Sequence, residues 1–195
     1  MGKNHPNVDP YIVSRVRALE SLLLEKGILA ADAVDRVIQR YEADTGPMVG
    51  ARAVAKAWTD PEYRRLLLDD PKAALGHLSL DYEMLMVVEN TEAVHNLVVC
   101  TLCSCYPWPV LGLPPTWYKM PAYRSRAVSE PRTILREMGL AVPPEREIRV
   151  WDSSAEMRYM VLPRRPAGTE SMGEAELVPL ITRDALIGVA EPTVS

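Results

Sequence analysis

The sequence lacks the features of membrane and exported proteins. No apolar run reaches the roughly 18–20 residues that a membrane-spanning helix needs. The opening segment, MGKNHPNVDP, has no apolar core of a signal peptide. Its sixth residue is Pro6, where a myristoylation motif has serine or threonine. These absences predict a cytoplasmic chain without a membrane partner.

An excess of basic charge is also missing. The chain has 22 lysines and arginines against 26 aspartates and glutamates, so its net charge is -4. A nucleic-acid partner usually requires a basic face, and this balance argues against one. Hydrophobic residues make up 48% of the 195 residues. That is enough for a sizeable core in one large domain, or in a domain with an appended arm.

The first third of the chain predicts helices. Apolar side chains recur at helical spacing, and Gly27 suits the position after a helix end. Asp60 followed by Pro61 is typical of a helix start. The expected helices cover residues 12–26, 34–41, 47–58 and 61–68. We therefore expect residues 1–70 to form a helical arm, packed either on another subunit or against the rest of this chain.

The remainder, residues 71–195, predicts an α+β domain. Short valine-rich and alternating runs indicate strands, and two of them flank a turn at Ser153-Ser154. The expected strands cover residues 84–90, 95–100, 147–152 and 157–163. Expected helices cover residues 121–128 and 130–138, the second capped by Ser129. A last helix follows the capping box of Ser171 and Glu174, and Pro179 should bend or end it.

All three cysteines, Cys100, Cys103 and Cys105, lie within six residues. A CxxC redox couple usually opens a helix, which the prolines after Cys105 disfavour. Structural zinc and iron–sulfur sites usually take four ligands. His95 is a candidate fourth ligand, but a strand between it and Cys100 would carry it away. Three thiols are therefore one ligand too few for a structural zinc site or an iron–sulfur cluster.

The spacing fits a different chelate. A metal bound by the sulfurs of Cys103 and Cys105 lies beside the backbone nitrogens of Ser104 and Cys105. If both amides lose their protons, two sulfurs and two nitrogens form a square, and Cys100 supplies an axial ligand. The sixth position stays open, as in catalytic metal sites. Ionising backbone amides requires a strongly polarising ion, which favours a trivalent first-row metal over zinc.

Such a site carries excess negative charge. Three thiolates and two amidates around a trivalent ion leave about two negative charges, and burying them is costly unless cations pair with them. Arginine is the expected partner because it stays protonated. The candidates on this chain are Arg124, Arg126 and Arg158. Each is also interpretable as an ordinary surface or interface salt bridge.

The segment CTLCSC, residues 100–105, resembles the metal-binding motif of nitrile hydratase α subunits. The resemblance continues through YPWPVLGLPPTWYK and covers nearly the whole chain, including VAKAWTDPEY and VWDSSAEMRYMVLPRRPAGTE. It implies a layered α/β/β/α-type domain behind the helical arm. It also implies a non-corrin Co(III) or a non-haem Fe(III), with Thr101 favouring cobalt. The implied activity is hydration of nitriles to amides.

The same resemblance implies roles for individual residues. Cys103 becomes a sulfinic acid and Cys105 a sulfenic acid, while Cys100 stays a thiolate. The ligands are then the three sulfurs and the amide nitrogens of Ser104 and Cys105. Three outer residues, Asp152, Glu156 and Arg158, match positions that tune the metal, and Trp108 matches a pocket-lining tryptophan. Without the resemblance, the outer residues are interpretable as hairpin turn chemistry and Trp108 as core packing.

The resemblance also implies partners. A β subunit supplies arginines to the oxidised sulfurs, is clasped by the N-terminal arm, and completes an α2β2 assembly. A small activator delivers cobalt. Either hydroxide or the sulfenate oxygen of Cys105 is the first nucleophile. One stretch departs from the family pattern, because Asp81 stands roughly where relatives carry a glutamine.

The alternative within the superfamily is a thiocyanate hydrolase. Its anionic substrate favours a cation at the pocket entrance, whereas Trp108 is neutral and suits a nitrile. From a different class, a zinc-binding structural module is the remaining possibility, and it predicts a colourless protein.

Overall fold

The smaller of two units defined by backbone contacts, Met1–Arg40, contains helix α1 (Pro10–Glu25). The computed structural model describes residues 10–30, 47–76, 84–103 and 105–194. After α1 the backbone turns at Gly27, where φ is 66°, and the amide of Ile28 donates to the carbonyl of Leu23 at 2.9 Å. The predicted helix and its glycine end are confirmed. The helix expected over 34–41 lies outside the described residues.

Helix α1 exposes most of its apolar side chains. Ile12, Val16 and Leu19, which recur at helical spacing, are 47%, 59% and 59% exposed. A helix of 16 residues gains little stability from hydrogen bonds alone and depends on packing of its apolar face. That face is therefore available for packing against another surface.

The larger unit, Tyr41–Ser195, begins with three consecutive helices. They are α2 (Pro47–Thr59), α3 (Pro61–Asp69) and α4 (Pro71–Leu75). The carboxylate of Asp60 accepts hydrogen bonds from the amides of Glu62 and Tyr63 at 2.9 and 3.0 Å, which confirms the predicted cap. Asp70 caps α4 in the same way through the amide of Ala73 at 2.9 Å, although α4 was not predicted.

These helices belong to the core of the larger unit. Val54 of α2 and Leu67 of α3 are fully buried, and the indole of Trp58 donates to the carbonyl of Pro163 at 2.9 Å. Burying such a side chain contributes about 1.5–3 kcal/mol. The contacts divide the chain after Arg40, and the helices between 47 and 75 contribute to the core of the larger unit.

Within the described ranges, four strands form two parallel pairs. They are β1 (Met84–Glu89), β2 (Val94–Val99), β3 (Glu147–Asp152) and β4 (Met157–Leu162). Strand β1 pairs with β4, and β2 pairs with β3. All four predicted strands are confirmed, but the turn at Ser153-Ser154 does not make a hairpin. The amide of Ser153 extends the β2–β3 ladder to the carbonyl of Val99 at 2.7 Å, after which the chain crosses to the other sheet.

Helices cover both sheets. The remaining ones among the described residues are α5 (Trp108–Leu111), α6 (Pro121–Ser129), α7 (Pro131–Glu137), α8 (Glu174–Leu177) and α9 (Arg183–Ile187), with 3-10 turns at Thr116–Lys119 and Val178–Leu180. Helices α3 and α4 contact β1, α6 contacts β2, and α7 contacts β3. Strand β2 in turn contacts β4 and β1 across the sheets. The order is therefore helix, sheet, sheet, helix. No helix in the described part of the chain is long and apolar enough to cross a membrane.

Two predicted helix caps are wrong. The hydroxyl of Ser129 donates to the carbonyl of Ser125 at 3.1 Å instead of capping α7. Pro131 occupies the first position of α7, so the cap falls on the residue directly before it. At α8 the amide of Gly173 donates to the carboxylate of Glu176 at 2.9 Å. This pair has the same three-residue spacing as the predicted capping box of Ser171 and Glu174 and takes its place. The predicted end of the helix at Pro179 is confirmed, because the chain there forms a 3-10 turn.

Buried amide side chains hold strand β2 in position. Asn96 donates through Nδ2 to the carbonyl of Glu89 at 2.7 Å, and its Oδ1 accepts from the indole of Trp151 at 2.8 Å. Its backbone amide donates to Oδ1 of Asn90 at 2.7 Å. These bonds join the end of β1, the middle of β2 and β3. They fix the direction in which β2 delivers Cys100.

Candidate metal centre

The three thiols converge on one point. Cys103 Sγ lies 3.6 Å from Cys100 Sγ and 3.1 Å from Cys105 Sγ, and all three ligand atoms lie within 4.8 Å of one another. The three cysteines form no disulfide, and Cys100 is buried, Cys103 exposed and Cys105 intermediate. Within the described residues, this is the one cluster of side chains with metal-ligand spacing.

The sulfur separations fit a shared metal. Two sulfurs at about 2.3 Å from a metal are about 3.3 Å apart at a right angle and about 3.8 Å apart at the tetrahedral angle. The 3.1 Å between the sulfurs of Cys103 and Cys105 is closer to the right-angle value, whereas the 3.6 Å between the sulfurs of Cys100 and Cys103 is closer to the tetrahedral value. Ser104, whose amide the chelate also uses, lies outside the described residues, as does Asp81.

The loop begins where two parallel strands end side by side. Cys100 directly follows β2 and Asp152 ends β3, and the two strands are in register. The carboxylate of Asp152 accepts hydrogen bonds from the amide and the hydroxyl of Thr101, at 2.9 and 2.6 Å. The amide of Cys103 donates to the sulfur of Cys100 at 3.3 Å. The end of β3 thereby holds the first turn of the thiol loop.

Two tyrosines that lie later in the sequence donate hydrogen bonds to the backbone at each end of the loop. The hydroxyl of Tyr118, a fully buried residue, donates to the carbonyl of Cys105 at 3.0 Å, and Tyr123 donates to the carbonyl of Val98 at 2.7 Å. Burial raises the pKa of both tyrosines, so they remain donors. Sequence reasoning missed both residues, and their spacing carries no signal that identifies them.

The electrostatics of the metal-free loop favour a protonated thiol at Cys105. Burial is the first cause that raises the pKa of Cys105 to about 12, followed by its hydrogen bond with Cys103 and the negative charge of Cys100. The guanidinium of Arg158 acts in the opposite direction. A metal would displace this proton, so loading is coupled to proton release.

The three candidate arginines have three different environments. Arg126 pairs with Glu130 and Glu137 at 2.7 Å on the surface and is an ordinary salt bridge. Arg124 donates through Nε to the carbonyl of Cys100 at 3.0 Å, and through Nη2 to that of Thr101. Arg158 is the one of the three whose charge lowers the pKa of Cys105.

His95 is engaged elsewhere and is not a fourth ligand. It is fully buried in β2, and its Nε2 donates to the carbonyl of Gly188 at 2.7 Å. Its other nitrogen lies 3.8 Å from Glu191, which also pairs with the buried Arg146. The bonds to His95 and then to Arg146 lower the pKa of Glu191 to about 2.

The remaining predicted site residues are placed differently. Glu156 lies in the loop after β3, where it accepts from the hydroxyl of Ser154 at 3.0 Å. Trp108 begins α5 and is 43% exposed, so core packing does not account for it. The structure thus brings Asp152 into direct contact with the loop, places the charge of Arg158 near Cys105, and leaves Trp108 on the surface three residues after Cys105.

The fold and the loop together define a class: a mixed helix and strand subunit that presents three converging thiols to a metal. The sequence pattern of the family described as nitrile hydratase, alpha chain, matches residues 11–190. The cobalt-containing nitrile hydratase subunit alpha of Pseudonocardia thermophila is 56% identical over 191 residues, which cover 96% of this chain and 94% of that protein. The chain belongs to the nitrile hydratase α-chain family.

Two further relatives agree with the fold. A double mutant of Fe-type nitrile hydratase from Comamonas testosteroni Ni1 matches with a TM-score of 0.84 at 43% identity, covering 95% of this chain and 92% of that one. The gamma subunit of thiocyanate hydrolase from Thiobacillus thioparus is 44% identical over 190 residues, covering 90% of this chain and 77% of that protein.

Proposed function

We propose that this chain is the metal-binding subunit of a cobalt nitrile hydratase, which adds water to a nitrile to give the corresponding amide. The observation that carries the proposal is the convergence of three cysteine sulfurs within 4.8 Å on the loop 100–105. The 56% identity to a cobalt-containing relative supports both the reaction and the metal. The 44% identity to a thiocyanate hydrolase subunit supports the alternative less well.

The donor set suits a trivalent ion. The proposed ligands are the sulfurs of Cys100, Cys103 and Cys105 and the amide nitrogens of Ser104 and Cys105. Co(III) is the proposed ion and Fe(III) the alternative. When bound, the ion supplies a Lewis acid that polarises the nitrile carbon. The 3.1 Å between the sulfurs of Cys103 and Cys105 is in keeping with two ligands near a right angle.

The exposure of the thiols supports the proposed oxidation pattern. Cys100 is buried, in keeping with an unmodified thiolate, whereas Cys103 is exposed and Cys105 partly so. Dioxygen is the proposed oxidant: one molecule adds both atoms to Cys103 as sulfinic acid, and a further molecule shared by two chains adds one atom to each Cys105 as sulfenic acid, so two chains consume three O2. The modified peptide should be heavier by about 48 Da in total.

The other site residues have proposed roles that follow from their positions. Asp152 holds Thr101 and through it the start of the loop. Arg158 offsets negative charge near Cys105. Glu156 accepts from Ser154 and orients the turn between the sheets. Trp108 offers a neutral, half-exposed ring beside the loop, which suits a neutral nitrile.

Two exposed apolar features support a β partner. Leu102, in the middle of the thiol loop, is 83% exposed, and α1 exposes the apolar face described above. A β subunit covering both would exclude water from the site and supply arginines to the oxidised sulfurs. The α2β2 assembly, the metal-delivering activator and the cytoplasmic location belong to the same proposal, and three cysteines without a disulfide are in keeping with a reducing compartment.

The test uses the chain co-expressed with its β subunit in cobalt-supplemented medium. Cys105→Ser should abolish amide formation from a small neutral nitrile, because it removes both a ligand and the sulfenate oxygen. Ser125→Ala is the matched control, since this exposed hydroxyl bonds only within its own helix. Full activity of Cys105→Ser would end the proposal. Assaying thiocyanate in parallel separates the two family reactions.

A further inference from the structure

Arg124 holds two successive peptide groups of the thiol loop with one side chain. It projects from α6, and its Nε donates to the carbonyl of Cys100 at 3.0 Å while its Nη2 donates to the carbonyl of Thr101. The guanidinium is planar and its donors are fixed relative to each other, so the two carbonyls must point to the same side. A lysine cannot reproduce this two-point contact.

The peptide bond between Cys100 and Thr101 is thereby held at both ends. Its carbonyl accepts from Arg124, and its amide donates to Asp152 at 2.9 Å. With both ends bonded, the peptide plane cannot rotate without breaking a charge-assisted hydrogen bond. This plane sets the direction of the Cys100 side chain, whose sulfur is the proposed axial ligand.

The surroundings of Arg124 favour a local effect of its removal. The side chain borders a surface cavity of about 320 Å³ that is also lined by Thr101, Pro121, Ser125 and Val128. A smaller side chain there opens onto solvent and leaves no sealed void in the core. Substitution at Arg124 should therefore disturb the loop and leave the fold intact.

We propose that Arg124 is a positioning residue for metal loading, which fixes the Cys100–Thr101 peptide so that the thiol loop is preorganised for its metal. The inference rests on the proposed metal-binding function. It assigns to Arg124 a structural action on the loop backbone, distinct from charge pairing with the sulfurs.

The experiment compares Arg124→Gln and Arg124→Lys in the complex with β. Arg126→Gln is the matched control, because it removes an arginine two positions away whose ion pairs in the described part of the chain are with the surface residues Glu130 and Glu137. Arg124→Gln should lose cobalt to a chelator about 10–100-fold faster, as is usual when outer groups around a metal site are removed. Arg124→Lys should be intermediate, and the sulfur-to-cobalt absorption band should shift in both. Arg126→Gln should match the parent.

A second readout does not depend on metal. In the metal-free protein, hydrogen exchange of the peptide spanning residues 99–103 should be faster in Arg124→Gln and unchanged in Arg126→Gln. Parent-like exchange and parent-like cobalt retention in Arg124→Gln would overturn the proposal. If the parent binds no cobalt but the 99–103 peptide still exchanges hydrogen faster in Arg124→Gln, the proposed metal-binding function is wrong. The proposal that Arg124 fixes the loop backbone then still holds. If Arg124→Gln does not fold, Arg124→Lys decides, and parent-like behaviour in that variant contradicts the two-point contact.

Discussion

Asp152→Asn tests whether the end of β3 holds the thiol loop. The carboxylate accepts from the amide and the hydroxyl of Thr101, at 2.9 and 2.6 Å. Hydrogen bonds to a charged group contribute about 1.5–3 kcal/mol each, and the exposure of Asp152 puts these at the lower end. Asparagine keeps one neutral acceptor, so we expect a loss of about 1.5 kcal/mol. That corresponds to roughly a tenfold fall in the ratio of ordered to disordered loop.

The assay is the rate at which a chelator removes cobalt from the loaded complex. Asp152→Asn should release cobalt roughly tenfold faster, while its thermal unfolding midpoint should change little because the carboxylate lies outside the core. Glu147→Gln is the control, since Glu147 begins the same strand and pairs with the exposed Arg149. The reasoning is refuted if Asp152→Asn keeps cobalt as the parent does, or if Glu147→Gln loses it equally fast.

Three other changes have defined outcomes. Tyr118→Phe removes the donor to the Cys105 carbonyl, and in the chelator assay it should cost about 1–2 kcal/mol of loop stability; unchanged cobalt release would contradict this. Gly188→Ala places a Cβ 2.0 Å from the carbonyl oxygen of Asn96 at a φ of 91°, which should lower the unfolding midpoint by roughly 5–20 °C; a shift within error would show that the backbone yields freely. Glu191→Gln removes a carboxylate whose pKa is lowered to about 2, so its stabilising effect is complete above its ordinary pKa near about 4.3 and is lost as pH falls toward about 2. Urea unfolding should show a deficit for Glu191→Gln at pH 7 that shrinks between pH 5 and pH 2; a deficit independent of pH would exclude this ionic contribution.

The convergence of the three thiols was predictable from the sequence because it depends on the spacing of residues that are close together in the chain. Three cysteines at i, i+3 and i+5 place their sulfurs together through the loop alone, and the structure brings them within 4.8 Å. The strands were predictable from composition, since β2 is buried on both faces and reads as an apolar run. The helix start at Asp60 and the helix end at Gly27 were also predictable, because both depend on local backbone chemistry and need no distant partner.

What the sequence did not predict depends on distant contacts. A four-residue connection between β3 and β4 is a normal hairpin length, and only the tertiary fold shows that each strand joins a different parallel pair. Tyr118 and Arg124 reach the loop across 13 and 24 residues, which no local pattern reveals. The cap expected at Ser129 was wrong because Pro131 moved the helix start by one residue.

The most direct test of the account is metal analysis combined with X-ray absorption at the cobalt and zinc K-edges, on the chain co-purified with its β subunit. We predict one trivalent cobalt per chain with three sulfur ligands, two nitrogen ligands and one exchangeable light atom. A tetrahedral zinc bound by sulfur alone, or a cobalt without nitrogen ligands, would contradict it.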